Sequence, residues 1–295
     1  MVDKCGFITI AIGNKYLKLA QNFALSAKRF GYPTVLLWAD IDKDKKDFSL
    51  FADNHNIANI KTVNLETPEK YWEYKKFVKD YMQEYDKAAY VDADSLVIKD
   101  PKYIFDPVIP NGIHTPMADP LKENSMWGCP KPFQTHELRD KFAKYPLFKL
   151  KPLNGGFFIW DNNEPMSAKW FKVVDKLFHE LHKIFNGRPV RDELVFALAY
   201  NILDLDNMAS NSSIGIWDAL FPVVDIENEK IFFYKGGHWN NRSFSPCIAH
   251  FGGRNCSRSL YLKSVKWLKG NVSEDTIQNG LQRENSRVED QDRKS

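Results

Sequence analysis

The chain has little that would staple it, anchor it or charge it. Its four cysteines (Cys5, Cys129, Cys247 and Cys256) show no CxxC spacing, which excludes a zinc ribbon and a disulfide scaffold. Cys5 opens an apolar run and reads as a small buried hydrophobe. No apolar stretch approaches the ~18–20 residues that a membrane span needs. The opening MVDKCGFITIAIGN lacks the apolar length and cleavage pattern of a signal peptide, so a cytoplasmic location is expected. On that expectation the sequons at Asn211, Asn241, Asn255 and Asn271 read as chance tripeptides. A net charge of only +3 excludes a dedicated nucleic-acid binder and leaves basic character to local sites, for a phosphate or an acidic ligand. Internal repeats and low-complexity tracts are missing too.

What is present suits a folded α/β protein. Of 295 residues, 43% are apolar and 14% aromatic, enough for a large core. CGFITIAI (5–12) reads as a strand followed by Asn14, a good helix N-cap. Leu17, Ala20, Ala24 and Ala27 then recur at helical spacing up to Gly31. TVLLWA (34–39) and NIKTVNL (59–65) read as further strands. Thr67-Pro68-Glu69 opens a helix expected to run to about Tyr85, and AAYV (88–91) is a fourth strand packed on both faces. Strands alternating with helices predict a mainly parallel twisted sheet flanked by helices. Residues 101–150 read as proline-rich loops and short helices, 155–160 as a strand, 166–185 and 191–203 as helices, and 230–234 and 246–251 as late strands. The stretch 269–295 reads as a flexible tail.

AAYVDADSLVI (88–98) sets two carboxylates, Asp92 and Asp94, inside an apolar run. Removing a carboxylate from water is costly unless a partner or metal compensates it. In extended chain residues i and i+2 point the same way, so this pair can face one small target. Four other DxD tripeptides exist, Asp40/Asp42, Asp42/Asp44, Asp204/Asp206 and Asp290/Asp292, but they lie in charged loops, at a helix end or in the tail. Only Asp92/Asp94 follows a buried strand, where ligands of open α/β sheets bind. A turn cap is the plainer reading of the pair. Neither aspartate has a basic neighbour in sequence, so a divalent cation, Mn²⁺ or Mg²⁺, is the favoured compensation. Two enzyme classes use such a clamp. VDADSLV is close to the first motif of haloacid-dehalogenase phosphatases, although three strand patterns precede it here. The other class is metal-dependent glycosyltransferases.

Several ordered motifs over about residues 5–265 resemble the GT-A glycosyltransferases of the glycogenin and lipopolysaccharide-galactosyltransferase type (family 8). FITIAIGNKYLKLAQNFALSAKRF resembles their opening strand, turn and helix. The resemblance implies that Ala11 and Asn14 line the nucleotide and that Tyr16 stacks on its base. Lys76, sixteen residues before Asp92, matches a lysine that steadies the donor, and Ala93, between the two aspartates, is implied to contact the nucleotide donor as well. PLNGGFFIWDN implies that Asn154 and Gly155 approach the donor sugar. GRPVRDELVFALAY resembles a G-G-D-Q helix start, with Asp192 at the family Asp and Glu193 where glutamine is usual. Their place in a first helical turn is also common for ordinary acids. CIAHFGGRNCSR implies that His250 completes the metal site and that Gly253 meets the diphosphate. Cys256 stands where the family has lysine, which leaves Arg254 or Arg258 for phosphate.

The implied organisation is a GT-A domain over 1–268, with a nucleotide-binding half (1–100), a donor and acceptor half (101–268) and a smaller acceptor-side region. The implied reaction is metal-dependent, retaining transfer of a hexose from a nucleotide-sugar, usually a UDP-sugar, to a carbohydrate or glycoprotein acceptor. Asp92, Asp94 and His250 would hold the metal; Asp192, Glu193 and Asn154 would lie at the reacting sugar. The aromatic stretches YWEYKKF (71–77) and GGHWNNRSF (236–244) are candidates for stacking on acceptor sugars. A phosphatase and a non-catalytic nucleotide-sugar-binding protein are the alternatives.

Overall fold

The computed structural model describes residues 3–39, 59–62, 68–115, 153, 155–205, 216–218, 226–227, 230–231, 233–234, 243–244, 247–251, 261–262 and 264–266. The expected tail and residues 116–150 of the proline-rich segment lie outside these.

β1 (Cys5–Ile12) alternates between two apolar layers, as a strand covered on both faces must. Ile8 and Ile10 enter one cluster, while Phe7 and Ala11 turn to the other side. α1 (Gly13–Lys28) covers that second side with Leu17, Ala20, Ala24 and Ala27, all buried. The helix starts two residues earlier than expected. Ile12 holds the cap position without a side-chain hydrogen bond, so Asn14 is not the N-cap. Gly13, at φ +68°, supplies the left-handed backbone at that corner.

β2 (Thr34–Ala39) and β3 (Asn59–Thr62) extend the sheet in parallel. The segment Pro68–Tyr81 then winds with three residues per turn, a 3₁₀ rather than an α-helix. β4 (Lys87–Val91) is buried at every residue. It is followed by β5 (Ser95–Val97), the single turn α2 (Lys102–Phe105), β6 (Ile113–His114) and β7 (Phe157–Asp161). The main sheet has the order β3-β2-β1-β4-β7-β6. Its first four strands are parallel, whereas β7 runs antiparallel to both β4 and β6.

α3 (Pro165–Ile184) begins with proline at its first turn, where no backbone donor is needed. It buries Trp170, Phe171, Val174, Leu177, Phe178 and Leu181 at spacings of one, three and four. Trp170 packs on Phe158 of β7 and on Phe196 of α4 (Asp192–Ile202), with ring centroids 5.5 and 5.0 Å apart. A second sheet has the order β5-β13-β8, from β8 (Ile216–Asp218) and β13 (Ile248–His250). Two short antiparallel pairs complete the described elements: β9 (Ile226–Glu227) with β10 (Lys230–Ile231), and β11 (Phe233–Tyr234) with β12 (Ser243–Phe244). No described helix is long and apolar enough to cross a membrane.

Candidate active site

The two sheets meet at Asp92-Ala93-Asp94. β4 ends at Val91, and the chain leaves the main sheet to enter the second one at Ser95. Ala93 and Asp94 form a turn here, not the extended continuation expected from sequence. The backbone pins this turn from both sides. Asp92 N–H donates to Gly156 O at 2.9 Å, and Phe251 N–H donates to Asp94 O at 3.0 Å. Antiparallel pairing of β13 with β5 sets His250 opposite Ser95, beside Asp94. His250 Nε2 lies 3.2 Å from Asp94 Oδ1 and 3.8 Å from Asp92 Oδ2.

Ligand-capable atoms of Asp92, Asp94 and His250 all lie within 4.8 Å of one another. Two carboxylate oxygens and an imidazole nitrogen at this spacing fit a Mn²⁺- or Mg²⁺-type cation. Asp94 is buried, which works against its charge, but His250 beside it outweighs burial and holds its pKa below the usual carboxylate value.

One lysine organises the floor of the site. Lys75 Nζ is buried, donates to Gly155 O at 2.8 Å, pairs closely with Asp192 Oδ2 and lies 3.1 Å from Asp92 Oδ1. It also sits over the Tyr90 ring, 4.8 Å from its centroid. Burial disfavours its charge, but Asp192 and Asp92 more than restore it, and its pKa stands well above the ordinary lysine value. Tyr90 donates its hydroxyl to Asp92 Oδ1 at 2.5 Å. Burial first, and Asp92 second, raise the Tyr90 pKa well above that of a free phenol.

Lys75, not Lys76, reaches the centre. In a 3₁₀ segment residues i and i+3 share a face, so Lys75 points inward with buried Val78. Lys76, partly buried, turns away from this centre and pairs with exposed Asp175 of α3 at 2.8 Å. Neither residue adjoins the aspartates in sequence, and the compensating cation comes from seventeen residues upstream. The buried Val78 three residues on was the signal that distinguished the two lysines.

Asp192 and Glu193 open α4 in its first turn. Asp192 is 1% exposed and lies against Gly155. A Cβ at Gly155 would stand 2.4 Å from Asp192 Oδ2, so only glycine admits this approach. Burial pushes the Asp192 pKa up, but Lys75 and a hydrogen bond from Glu193 hold it below the usual value. Burial first, then the Asp192 charge and the hydrogen bond to it, push Glu193 up to about 8.

Of the remaining expected residues, Ala11 and Ala93 share one apolar cluster, and several lie outside the described set. Ala11 is buried in β1 and Ala93 is buried in the turn. Tyr16, 37% exposed, projects from the first turns of α1, with Lys15 Nζ 5.7 Å from its ring centroid. Asn14 lies in the first turn of α1, and its side chain is outside the described set, as are Asn154, Gly253, Arg254, Cys256 and Arg258. Of the two aromatic stretches, Trp72 carries the Arg191 guanidinium 5.6 Å from its ring centroid, whereas 236–242 is outside the described residues.

No family model matches the chain, and no curated protein does. Among solved structures, the galactosyltransferase LgtC in complex with donor and acceptor sugar analogues is similar, at 14% identity and TM-score 0.52. The match covers 92% of this chain and 98% of LgtC. An active-site variant of LgtC with glutamate in place of glutamine gives TM-score 0.53 at the same identity and coverage. The bifunctional glycosyltransferase WbbM matches at 10% identity and TM-score 0.39 over 60% of this chain, which spans 34% of that protein. GlyE of Streptococcus pneumoniae matches at 16% identity and TM-score 0.42 over 69% of this chain, which spans 44% of GlyE. The likeness to LgtC establishes a GT-A fold.

Proposed function

We propose that the protein is a metal-dependent glycosyltransferase that moves a hexose from a nucleotide-sugar to an acceptor hydroxyl. The observation that carries the reading is the convergence of Asp92, Asp94 and His250 at the junction of the two sheets. Beside it stands a lysine that ties Asp92 to Asp192. LgtC is a galactosyltransferase seen with donor and acceptor sugar analogues, and the match to it covers 92% of this chain. The altered residue of its active-site variant is a glutamine made glutamate, which matches in kind the Glu193 of this chain.

Asp92, Asp94 and His250 would hold the cation. A divalent ion bound there supplies Lewis-acid neutralisation of the charge that gathers on a departing diphosphate. Lys75 holds one oxygen of Asp92 and one of Asp192, so these two carboxylates keep fixed positions relative to each other. Gly155 leaves room for Asp192 to come up to the β7 entrance, where the sugar of the donor would lie. Asp192 would then face developing positive charge at the anomeric carbon, on the retaining course that the resemblance implies. UDP is the nucleotide that this resemblance favours, with Ala11 and Asn14 of the β1–α1 corner along it and Tyr16 stacking on its base.

A thermal-shift panel of nucleotide-sugars, each with and without Mn²⁺, tests the reading. Stabilisation by one donor, dependent on the metal, is the expected result. Stabilisation by none, together with phosphate release from small phosphomonoesters, would favour the phosphatase alternative.

A further inference from the structure

We propose that Glu193 is held as a neutral carboxylic acid, sharing its proton with Asp192, so that the buried pair offers the donor one negative charge instead of two. This deepens the donor-site reading above and rests on it.

A count of charges leads there. Three carboxyl groups, Asp92, Asp192 and Glu193, crowd around one buried cation, Lys75. Lys75 is already committed to Asp192, to Asp92 and to the Gly155 carbonyl. With both members of the pair ionised, Asp192 Oδ1 and Glu193 Oε2 are buried and find no donor among the described residues. Two adjacent ionised carboxylates would then share one buried lysine, which like-charge repulsion opposes. One proton placed between them removes the repulsion and provides the missing donor.

Among the described residues, the charged groups that act on Glu193 are Asp192 and Lys75. Asp192 acts on Glu193 from its own helix and Lys75 acts from the 3₁₀ segment, while Asp92, at the end of β4, is tied to Lys75. From α3 the neighbouring contacts to α4 are aromatic, Trp170 against Phe196 and Tyr200. Burial and the Asp192 charge push Glu193 up to about 8, in the same direction as the count.

The consequence concerns donor recognition. A protonated carboxyl presents one O–H and one C=O, the donor and acceptor pattern of a carboxamide. Glu193 therefore fills the place where the resembling family carries glutamine without adding a charge beside an anionic diphosphate. Above pH about 8 it ionises, and a second negative charge then opposes donor binding. The sign is clear: the protonated form is the competent one, and competence falls as pH rises.

Three readouts on the full chain test this with wild type and Glu193→Gln. An infrared difference spectrum, wild type minus variant, should show a carboxylic-acid C=O band at pH 6 that disappears by pH 10. The melting temperature of wild type should drop relative to the variant as pH rises from about 4.5 to about 8 and then level, because proton affinity is raised in the folded state. The donor KM of wild type should climb by roughly tenfold per pH unit above about 8, with kcat less affected, and this limb should be missing from Glu193→Gln. Absence of the acid band at pH 6, with parallel melting curves, would overturn the proposal. If the acid band and the diverging melting curves are seen but no nucleotide-sugar is consumed, the shared proton stands and the transferase reading fails. An alkaline KM limb that persists in Glu193→Gln would remove Glu193 from donor recognition.

Discussion

Two acidic pairs, Asp92/Asp94 and Asp192/Glu193, lie on either side of Lys75 and differ in the counter-charge that surrounds them. The first sits in a turn between two sheets. His250 faces both of its members, and the Asp92 side chain is 29% exposed. The second sits in the first turn of a buried helix, where one lysine reaches only one of its members. The same chemical groups thus meet different charge counts. An open pair backed by histidine and lysine can accept a cation, whereas a closed pair with half a counter-ion must accept a proton. The pH responses of Asp94 and Glu193 oppose each other. Asp94, with a lowered pKa, adds stability above its unfolded value and loses it as pH falls through the folded one; Glu193 behaves in the reverse sense as pH rises.

The largest test of this contrast removes a member of the open pair. Asp94→Ala is expected to lower Mn²⁺-dependent donor turnover about a thousandfold, which corresponds to about 4 kcal/mol of transition-state stabilisation. Steady-state donor consumption measures it, and turnover within tenfold of wild type would separate the open pair from catalysis.

Next comes the shared cation. Lys75→Met leaves Asp192 buried without its counter-ion and should destabilise the fold by about 3 kcal/mol in urea titration. Lys76→Met breaks a pair whose acid is 62% exposed, and should change stability by less than about 1 kcal/mol. Equal effects from the two variants would dissolve the distinction between the two lysines.

Much of this architecture was legible in the amino-acid order. The strands at Cys5–Ile12, Thr34–Ala39 and Phe157–Asp161 and the helices α1, α3 and α4 fall within a few residues of their apolar patterns. Local periodicity decides such elements, so local reading finds them. The convergence of Asp92, Asp94 and His250 was legible only through the resemblance, because His250 is distant in sequence and the β13–β5 register brings it to Asp94. Lys75 was missed for a related reason. Helical phase decides which of two adjacent lysines turns inward, and the segment winds as 3₁₀ where an α-helix was expected. The antiparallel sense of β7 was equally hidden, since a buried strand carries no mark of its direction. Glu193 was visible as a departure from the family pattern, but its proton becomes apparent only once the single lysine is located.

Gly155 links the two pairs through its backbone, and a smaller change there should loosen the closed one. Gly155→Ala would set a Cβ 2.4 Å from Asp192 Oδ2 and 2.7 Å from its Cγ. The carboxylate must then move away from Lys75, with an expected loss of about 2 kcal/mol in stability and a weaker response to donor in thermal shift. An unchanged melting temperature would mean that the floor of the site yields more easily than its packing indicates.

The finest distinction concerns which oxygen of Asp92 turns to a cation. Oδ1 accepts the Tyr90 hydroxyl at 2.5 Å and meets Lys75 at 3.1 Å, so its lone pairs are committed to the protein. Oδ2 is the oxygen nearer His250, at 3.8 Å, on the side where Asp94 also lies. Tyr90 thereby acts on the open pair as a positioning residue: it fixes the carboxylate plane, and its own ring is fixed by stacking on Phe158 with centroids 5.0 Å apart. Tyr90→Phe keeps the ring and removes only the donor. Lys75 still compensates the charge of Asp92, so the fold should lose about 1.5 kcal/mol or less. Mn²⁺ affinity, measured by calorimetry on the otherwise intact chain, should fall about tenfold, the scale on which outer partners tune metal ligands. A tenfold loss of metal affinity beside a nearly unchanged melting temperature would assign the phenol to orientation of Asp92. A large drop in melting temperature with metal affinity preserved would instead make it a core hydrogen bond, and the contrast between the pairs would then rest on Lys75 and His250 alone.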